Sequence, residues 1–190
     1  MQFFVGNYTF SSKDRYTQIK AGIRGKKMNE LSSSEMHEIR ELLEKEKIRK
    51  VKQLYSHLMD SNQIDALADL FTEDAICEFG PEYGTWEGRE TIRTNYQGVF
   101  AEFNRFDAMH HVTNHYIDIM GPDTAKGRAY LPDVMTTVEP EAQPVVWYGL
   151  YDEDYRKVDG KWLISKSSLQ FLWPQTMVTQ TFDEPYPLVD

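Results

Sequence analysis

The sequence predicts an α+β fold with helices packed on one side of a curved sheet, and two observations carry that expectation. Through residue 103 most apolar residues recur at helical spacing, whereas from residue 109 onward the period becomes that of strands. The strand-like part falls into four runs separated by turn signals, the pattern of an antiparallel meander.

The elements follow in order. "SSSEMHEIRELLEKEKIRKVKQLYSHLMDSN" opens with a capping box, Ser32 with Glu35 three residues on, and continues through Ile39, Leu42, Leu43, Val51, Leu54, Tyr55 and Leu58 at three-and-four spacing. This predicts one long amphipathic helix over about residues 34–59. "DSN" ends it, "QIDALADLF" predicts a short second helix, and "EDAICEFG" predicts a strand. "GPEYGTWEG" is rich in turn residues, and its "WEG" is expected to position the next helix. There, "RETIRTNYQGVFAEF" sets Ile92, Tyr96, Val99 and Phe103 on one face. The four later runs are "HHVTNHYIDI", "TAKGRAYLPDVMTTV", "PVVWYGLYDEDYRKV" and "KWLISKSSLQFLW". The "DG" between the last two marks a tight hairpin.

Length and composition narrow the function classes. The 190 residues suit one domain of residues 28–173, between a basic leader over 1–27 and a Pro-containing tail over 174–190. The leader reads as a disordered arm, a targeting segment or a start upstream of a native Met28. It carries six Lys/Arg against one Asp, so the rest of the chain carries about −14, against −9 for the whole. So acidic a body repels phosphate backbones, and no nucleic-acid partner is expected. A single cysteine, Cys77, excludes an internal disulfide and thiolate zinc clusters, and a cytoplasmic location is the default. No apolar run approaches the roughly 20 residues of a membrane span.

Over about residues 35–173, "DALADLFTEDAICEF", "TWEGRETIRTNY", "MHHVTNHYID", "DTAKGRAYL" and "DYRKVDGKWLISK" resemble the SnoaL-like branch of the nuclear transport factor 2 superfamily. The resemblance implies a cone-shaped curved sheet, antiparallel or mixed, around a deep pocket closed by the N-terminal helices. Within that branch the dehydratases are most similar. Bile-acid 7α-dehydratase has a Tyr, an Asp five residues later at the end of the first helix, a His opening the first meander strand, and an Asp in the next strand. The matching positions here are Tyr55, Asp60, His110 and Asp133. Two tyrosines of scytalone dehydratase fall on Met59 and Phe79, which argues against scytalone as substrate.

Three of the five histidines lie in "DAMHHVTNHYIDI". On a strand, residues four apart are separated by about 13 Å, so His111 and His115 do not share a metal ion, and none is expected. The alternating faces of a strand place His110, Val112 and Asn114 on one side and His111 and His115 on the other. With the resemblance, His110 is the expected general base or acid, oriented by Asp60. Tyr55 would stabilise an enolate oxygen, and Asp133 would act as a second acid or hold a substrate hydroxyl. Each has a structural alternative: an interior hydrogen-bonded His, a capping Asp, a core Tyr, an isolated strand carboxylate. Phe79, Trp147, Tyr151 and Asn114 are the expected substrate-binding residues, and Trp86 is a further aromatic candidate that a turn role would also explain.

The expected function is that of a cofactor-independent lyase or isomerase, a dehydratase or hydratase of a small hydrophobic, ring-containing hydroxy-carbonyl compound that is steroid-like or polyketide-like. The competing classes are a non-catalytic ligand-binding or assembly module and the small subunit of a ring-hydroxylating dioxygenase. A homo-oligomer is expected, trimeric by the dehydratase resemblance and dimeric by the wider superfamily.

Overall fold

The structure, a computed structural model, describes residues 31–135 and 145–173. The expected leader and tail lie outside them. The chain divides into two compact units, Met1–Arg40 and Glu41–Asp190. Of the first, the described residues are 31–40, the start of α1 (Ser33–Asp60), where the capping box forms. The Ser32 N–H and hydroxyl both reach Glu35 Oε2 (2.8 and 2.9 Å), and the Glu35 N–H donates to Ser32 Oγ. These bonds satisfy amide groups that a bare helix start leaves orphaned, and they hold the Glu35 carboxyl below its usual range.

The second unit has the expected α+β architecture. After the rest of α1 come α2 (Ile64–Ala68), β1 (Phe71–Glu78), α3 (Gly80–Tyr83), β2 (Thr85–Glu87), α4 (Arg89–Val99), β3 (Ala108–His110), β4 (Thr113–Gly121), β5 (Thr124–Met135), β6 (Val145–Val158) and β7 (Lys161–Trp173). The strands form an open sheet in the order β2-β1-β7-β6-β5-β3, with β4 also paired to β5. All pairings are antiparallel except β1 with β7. The expected "DG" hairpin joins β6 to β7, with Asp159 and Gly160 both at positive φ (50° and 76°), as a two-residue primed turn requires.

The core lies between the helices and the inner sheet face. Ile48, Val51, Tyr55 and Met59 of α1 meet Phe71, Ala75 and Cys77 of β1, Ile92 and Tyr96 of α4, and Tyr151, Tyr155, Ile164 and Leu169 of β6 and β7. Two expectations about faces are corrected. Leu42, Leu43 and Leu54 are exposed, and the buried stripe of α1 instead includes Lys52, admitted because the Glu153 carboxylate meets its ammonium at 2.7 Å.

The second correction concerns the histidine run. β3 and β4 both pair with β5, and the register slips between Thr113 and Tyr116 around Asn114, whose φ is 51°. A one-residue bulge reverses side-chain alternation. His115 therefore lies partly buried near Ile117, while Asn114 and His111 are exposed.

Candidate active site

The end of α1 and the short strand β3 meet at one side chain pair. Asp60 Oδ1 lies 2.6 Å from His110 Nδ1, and both carboxylate oxygens also accept the His110 backbone N–H (3.1 and 3.2 Å). The carboxylate thus fixes both the backbone and the ring of one residue. Asp60 does not cap α2, whose N-cap position is Gln63 without a side-chain cap. A carboxylate accepts only, so Nδ1 carries the proton of this hydrogen bond and Nε2 of the neutral ring is left basic.

On the Nε2 side stands Asp133. It is the in-register partner of His110 across β3 and β5, which puts both side chains on one sheet face. Nε2 and Oδ2 are 3.8 Å apart, too far for a direct hydrogen bond, and Asp133 Oδ1 is buried without a partner among the described residues. Burial raises the Asp133 carboxyl above its usual range, with Asp60 adding to the effect and His110 opposing it. An apolar surrounding favours the protonated form of the acid over the anion.

Both residues line a cavity of about 200 Å³. Its walls are largely aromatic: Phe79 stands edge-on to Trp86 with centroids 4.9 Å apart, Trp86 edge-on to Tyr96 at 5.1 Å, and Trp147 edge-on to Phe171 at 5.5 Å. Trp147 is the in-register partner of Asp133, and its indole N–H is likewise buried without an acceptor among the described residues. Next along β6 is Gly149, where a Cβ would sit 2.8 Å from Leu169 Cδ1 and would require that side chain to shift. The inner face of β6 therefore shows Trp147 and Tyr151 to the cavity with a packed gap between them.

The SnoaL-like domain model matches residues 40–168. The chain belongs to the SnoaL-like family. No curated protein matches it. Among solved structures, this SnoaL-like protein is similar to a protein of Novosphingobium aromaticivorans DSM 12444 provisionally assigned as a scytalone dehydratase. That match has 25% identity and TM-score 0.62, covering 78% of this chain and 97% of that one. A protein of Novosphingobium aromaticivorans provisionally assigned as an aromatic ring hydroxylase matches with 29% identity and TM-score 0.60, covering 72% and 92%. The hexachlorocyclohexane dehydrochlorinase LinA-type3 of Novosphingobium barchaimii LL02 matches with 20% identity and TM-score 0.62, covering 78% and 99%. At that last identity the likeness is one of fold.

Of the residues singled out from the SnoaL-like sequence, His110, Asp60 and Asp133 come together, and Tyr55, Phe79, Trp147 and Tyr151 line the same cavity as His110 and Asp133. Asn114 does not join them. It is exposed at the bulge, because the slip that turns His115 inward turns Asn114 outward. Trp86 lines the cavity and also holds the preceding turn through Nε1–H to Tyr83 O (2.8 Å). Met59 and Phe79, where scytalone dehydratase has tyrosines, are both on the wall.

Several wall residues carried no functional signal in the sequence, among them Tyr96, Phe100, Leu131 and Phe171. Tyr96 sits on the apolar stripe of α4 and reads as core. Strand alternation puts Leu131 on the same face as Asp133, whereas no candidate on the last strand points to Phe171. Among the described residues, no group of three or more His, Cys, Asp or Glu side chains is arranged to hold a metal ion, and no helix is long and apolar enough to cross a membrane.

Proposed function

We propose that this SnoaL-like protein is a cofactor-independent carbon–oxygen lyase, a dehydratase or, in reverse, a hydratase, acting on a ring-containing hydroxy-carbonyl compound. The observation that carries the reading is the His110 ring, tethered by Asp60 at Nδ1 with Asp133 beyond Nε2, on the wall of an aromatic cavity. A histidine so oriented has one nitrogen committed and one free for proton transfer.

In the dehydrating direction, His110 Nε2 takes the proton from the carbon next to the substrate carbonyl. The C–H electrons move into the C–C bond as the carbonyl oxygen becomes an enolate, held by the Tyr55 hydroxyl. The enolate then collapses, expelling the hydroxyl on the neighbouring carbon as Asp133 protonates it, so that one C=C bond and one water form. The imidazolium on His110 returns its proton to the Asp133 carboxylate nearby, which resets both groups.

The cavity volume bears on substrate size. Drug-sized ligands occupy pockets of about 300–1,000 Å³, so about 200 Å³ favours one or two rings of polyketide-like character over a four-ring steroid. The likeness to a protein assigned as a scytalone dehydratase supports a dehydration, and the replaced tyrosines point to a different substrate. Homo-oligomer formation is part of the proposal, supported by Tyr130, Tyr148 and Leu172 exposed along β5, β6 and β7.

The test is turnover and binding on one panel of hydroxysteroids and one- and two-ring hydroxylated ketones, followed by mass spectrometry with wild type and His110→Ala. Loss of one water from a compound, abolished in the variant while binding persists, is the expected result. Binding without turnover in wild type would instead favour a carrier or assembly role, and water loss untouched by the substitution would assign the chemistry to another group.

A further inference from the structure

Three phenol hydroxyls meet on the cavity wall. Tyr55 Oη lies 2.7 Å from Tyr96 Oη and 3.5 Å from Tyr151 Oη, and the rings of Tyr55 and Tyr151 pack edge to face at 5.9 Å. All three side chains line the cavity and are buried. Burial drives each phenol far above its ordinary titration range, so all three are protonated.

Counting protons gives the next step. Three hydroxyls bring three donors, and a chain of two hydrogen bonds uses two of them. One O–H is left over, and among the described residues no further acceptor is bonded to these oxygens. A buried donor without an acceptor is costly, and a ligand oxygen in the cavity would satisfy it.

Behind the rings lies a cation. The Lys52 ammonium is 3.2 Å from the Tyr151 ring centroid and 4.2 Å from that of Tyr55, fully buried and outside the cavity lining. Glu153 holds it at 2.7 Å, and that carboxylate is itself bonded by Ser167 Oγ (2.9 Å) and the Tyr155 hydroxyl. A cation against the faces of two phenol rings polarises them toward stronger donation, while the Glu153 carboxylate behind it acts in the opposite sense on Tyr96 and Tyr151. Lys52 touches no ligand and acts only through the rings.

We propose that the Tyr55, Tyr96 and Tyr151 hydroxyls form a subsite for an anionic oxygen on a ring-bearing ligand, an enolate or a phenolate, with Lys52 as the positioning residue that strengthens it. The inference rests on the reading of the cavity as a site for ring-bearing carbonyl compounds, and adds Tyr96, Tyr151 and Lys52 to the single donor assigned above.

The test uses the full chain with 4-nitrophenol, whose ionised form absorbs in the visible, and 4-nitrotoluene, which has nearly the same shape and no hydroxyl. Both are titrated below the solution pKa of the phenol into wild type, Tyr96→Phe and Lys52→Met. Wild type is expected to bind the phenol as its phenolate and to prefer it to nitrotoluene. Each substitution is expected to weaken phenolate binding about tenfold, the effect of losing one charge-assisted hydrogen bond, with nitrotoluene affinity unchanged. If Lys52→Met leaves Glu153 unpaired and fails to fold, Lys52→Met/Glu153→Gln replaces it, because it removes both charges together. Wild type that holds the phenol neutral, or binds neither compound, overturns the proposal, as do folded variants that match wild type. Phenolate binding without turnover of any panel compound would sink the lyase reading and leave the subsite standing; turnover without a phenolate preference would do the reverse.

Discussion

Two groups of buried ionisable side chains lie on the inner face of this sheet, and they differ in how fully they satisfy one another. Lys52, Glu153, Ser167 and Tyr155 form a closed set: the ammonium and carboxylate are at most 1% exposed, and each carboxylate oxygen has a donor. Asp60, His110 and Asp133 form an open set with side chains 9–13% exposed, a 3.8 Å gap where a bond could be, and an orphaned Asp133 oxygen. Burial of charge costs several kcal/mol unless partners offset it, so a closed set reads as structure and an open set as chemistry awaiting a ligand. The closed set reaches the cavity only through the tyrosine rings it supports.

The largest expected effect that sharpens this contrast comes from Asp60→Asn. An amide offers Nδ1 a donor as readily as an acceptor and no longer stabilises the imidazolium, so kcat falls about 100-fold or more. Ligand affinity, followed by calorimetry, stays within a few-fold. Equal losses in kcat and affinity would recast Asp60 as a purely structural anchor of β3.

Asp133→Asn separates function from stability. The folded protein raises the carboxyl pKa, so ionisation above the ordinary carboxylate range costs folded stability that the amide does not lose. Activity is expected to drop about 100-fold while Tm at neutral pH rises by a few degrees. The gain should vanish below the unfolded carboxylate pKa. A fall in Tm at neutral pH would show that the carboxylate is stabilised where it stands.

Within the closed set, Ser167→Ala removes one donor to Glu153 and should cost about 1–2 kcal/mol in chemical denaturation with kcat unchanged. A loss of activity at full stability would blur the distinction between the two sets.

The smallest effect is at the edge of the closed set. His115 Nε2 is 3.4 Å from the Tyr155 hydroxyl, its Nδ1 is buried without a partner among the described residues, and burial lowers its pKa from 6.5 to about 4, with Glu153 opposing the shift and the Lys52 and Arg49 charges adding to it. Between about pH 4 and 6.5 the unfolded chain binds the extra proton, so stability is lost as pH falls through that window. His115→Gln should flatten the pH dependence of Tm there; an unchanged slope would assign it to the carboxylates.

Much of this architecture was legible because local chemistry and tertiary structure agree. The capping box at Ser32 and Glu35, the Asp159–Gly160 turn and the change of period near residue 109 each name a local geometry that the fold keeps. What escaped depends on distant partners. The parallel pairing of β1 with β7 joins residues about ninety apart, and no local pattern encodes it. Nothing local to the helix signals the burial of Lys52, because its counter-charge comes from Glu153, 101 residues away. Strict alternation along the histidine run has no place for the bulge at Asn114, and that one inserted residue sets Asn114, an expected substrate contact, at the surface. The candidate site was legible by residue type and, with the resemblance, by position, whereas Tyr96 was not: a tyrosine on an apolar stripe is core or wall according to what faces it.

The central claim is that His110 Nε2 moves a proton on the carbon beside a bound carbonyl. It is tested most directly by hydrogen–deuterium exchange in D₂O on a ring ketone that binds the cavity and lacks a leaving hydroxyl, so that proton abstraction is read apart from elimination. Wild type should incorporate deuterium next to the carbonyl and His110→Ala should not, at equal occupancy of ligand. Exchange at the wild-type rate in His110→Ala, or no exchange in wild type saturated with ketone, would contradict the account.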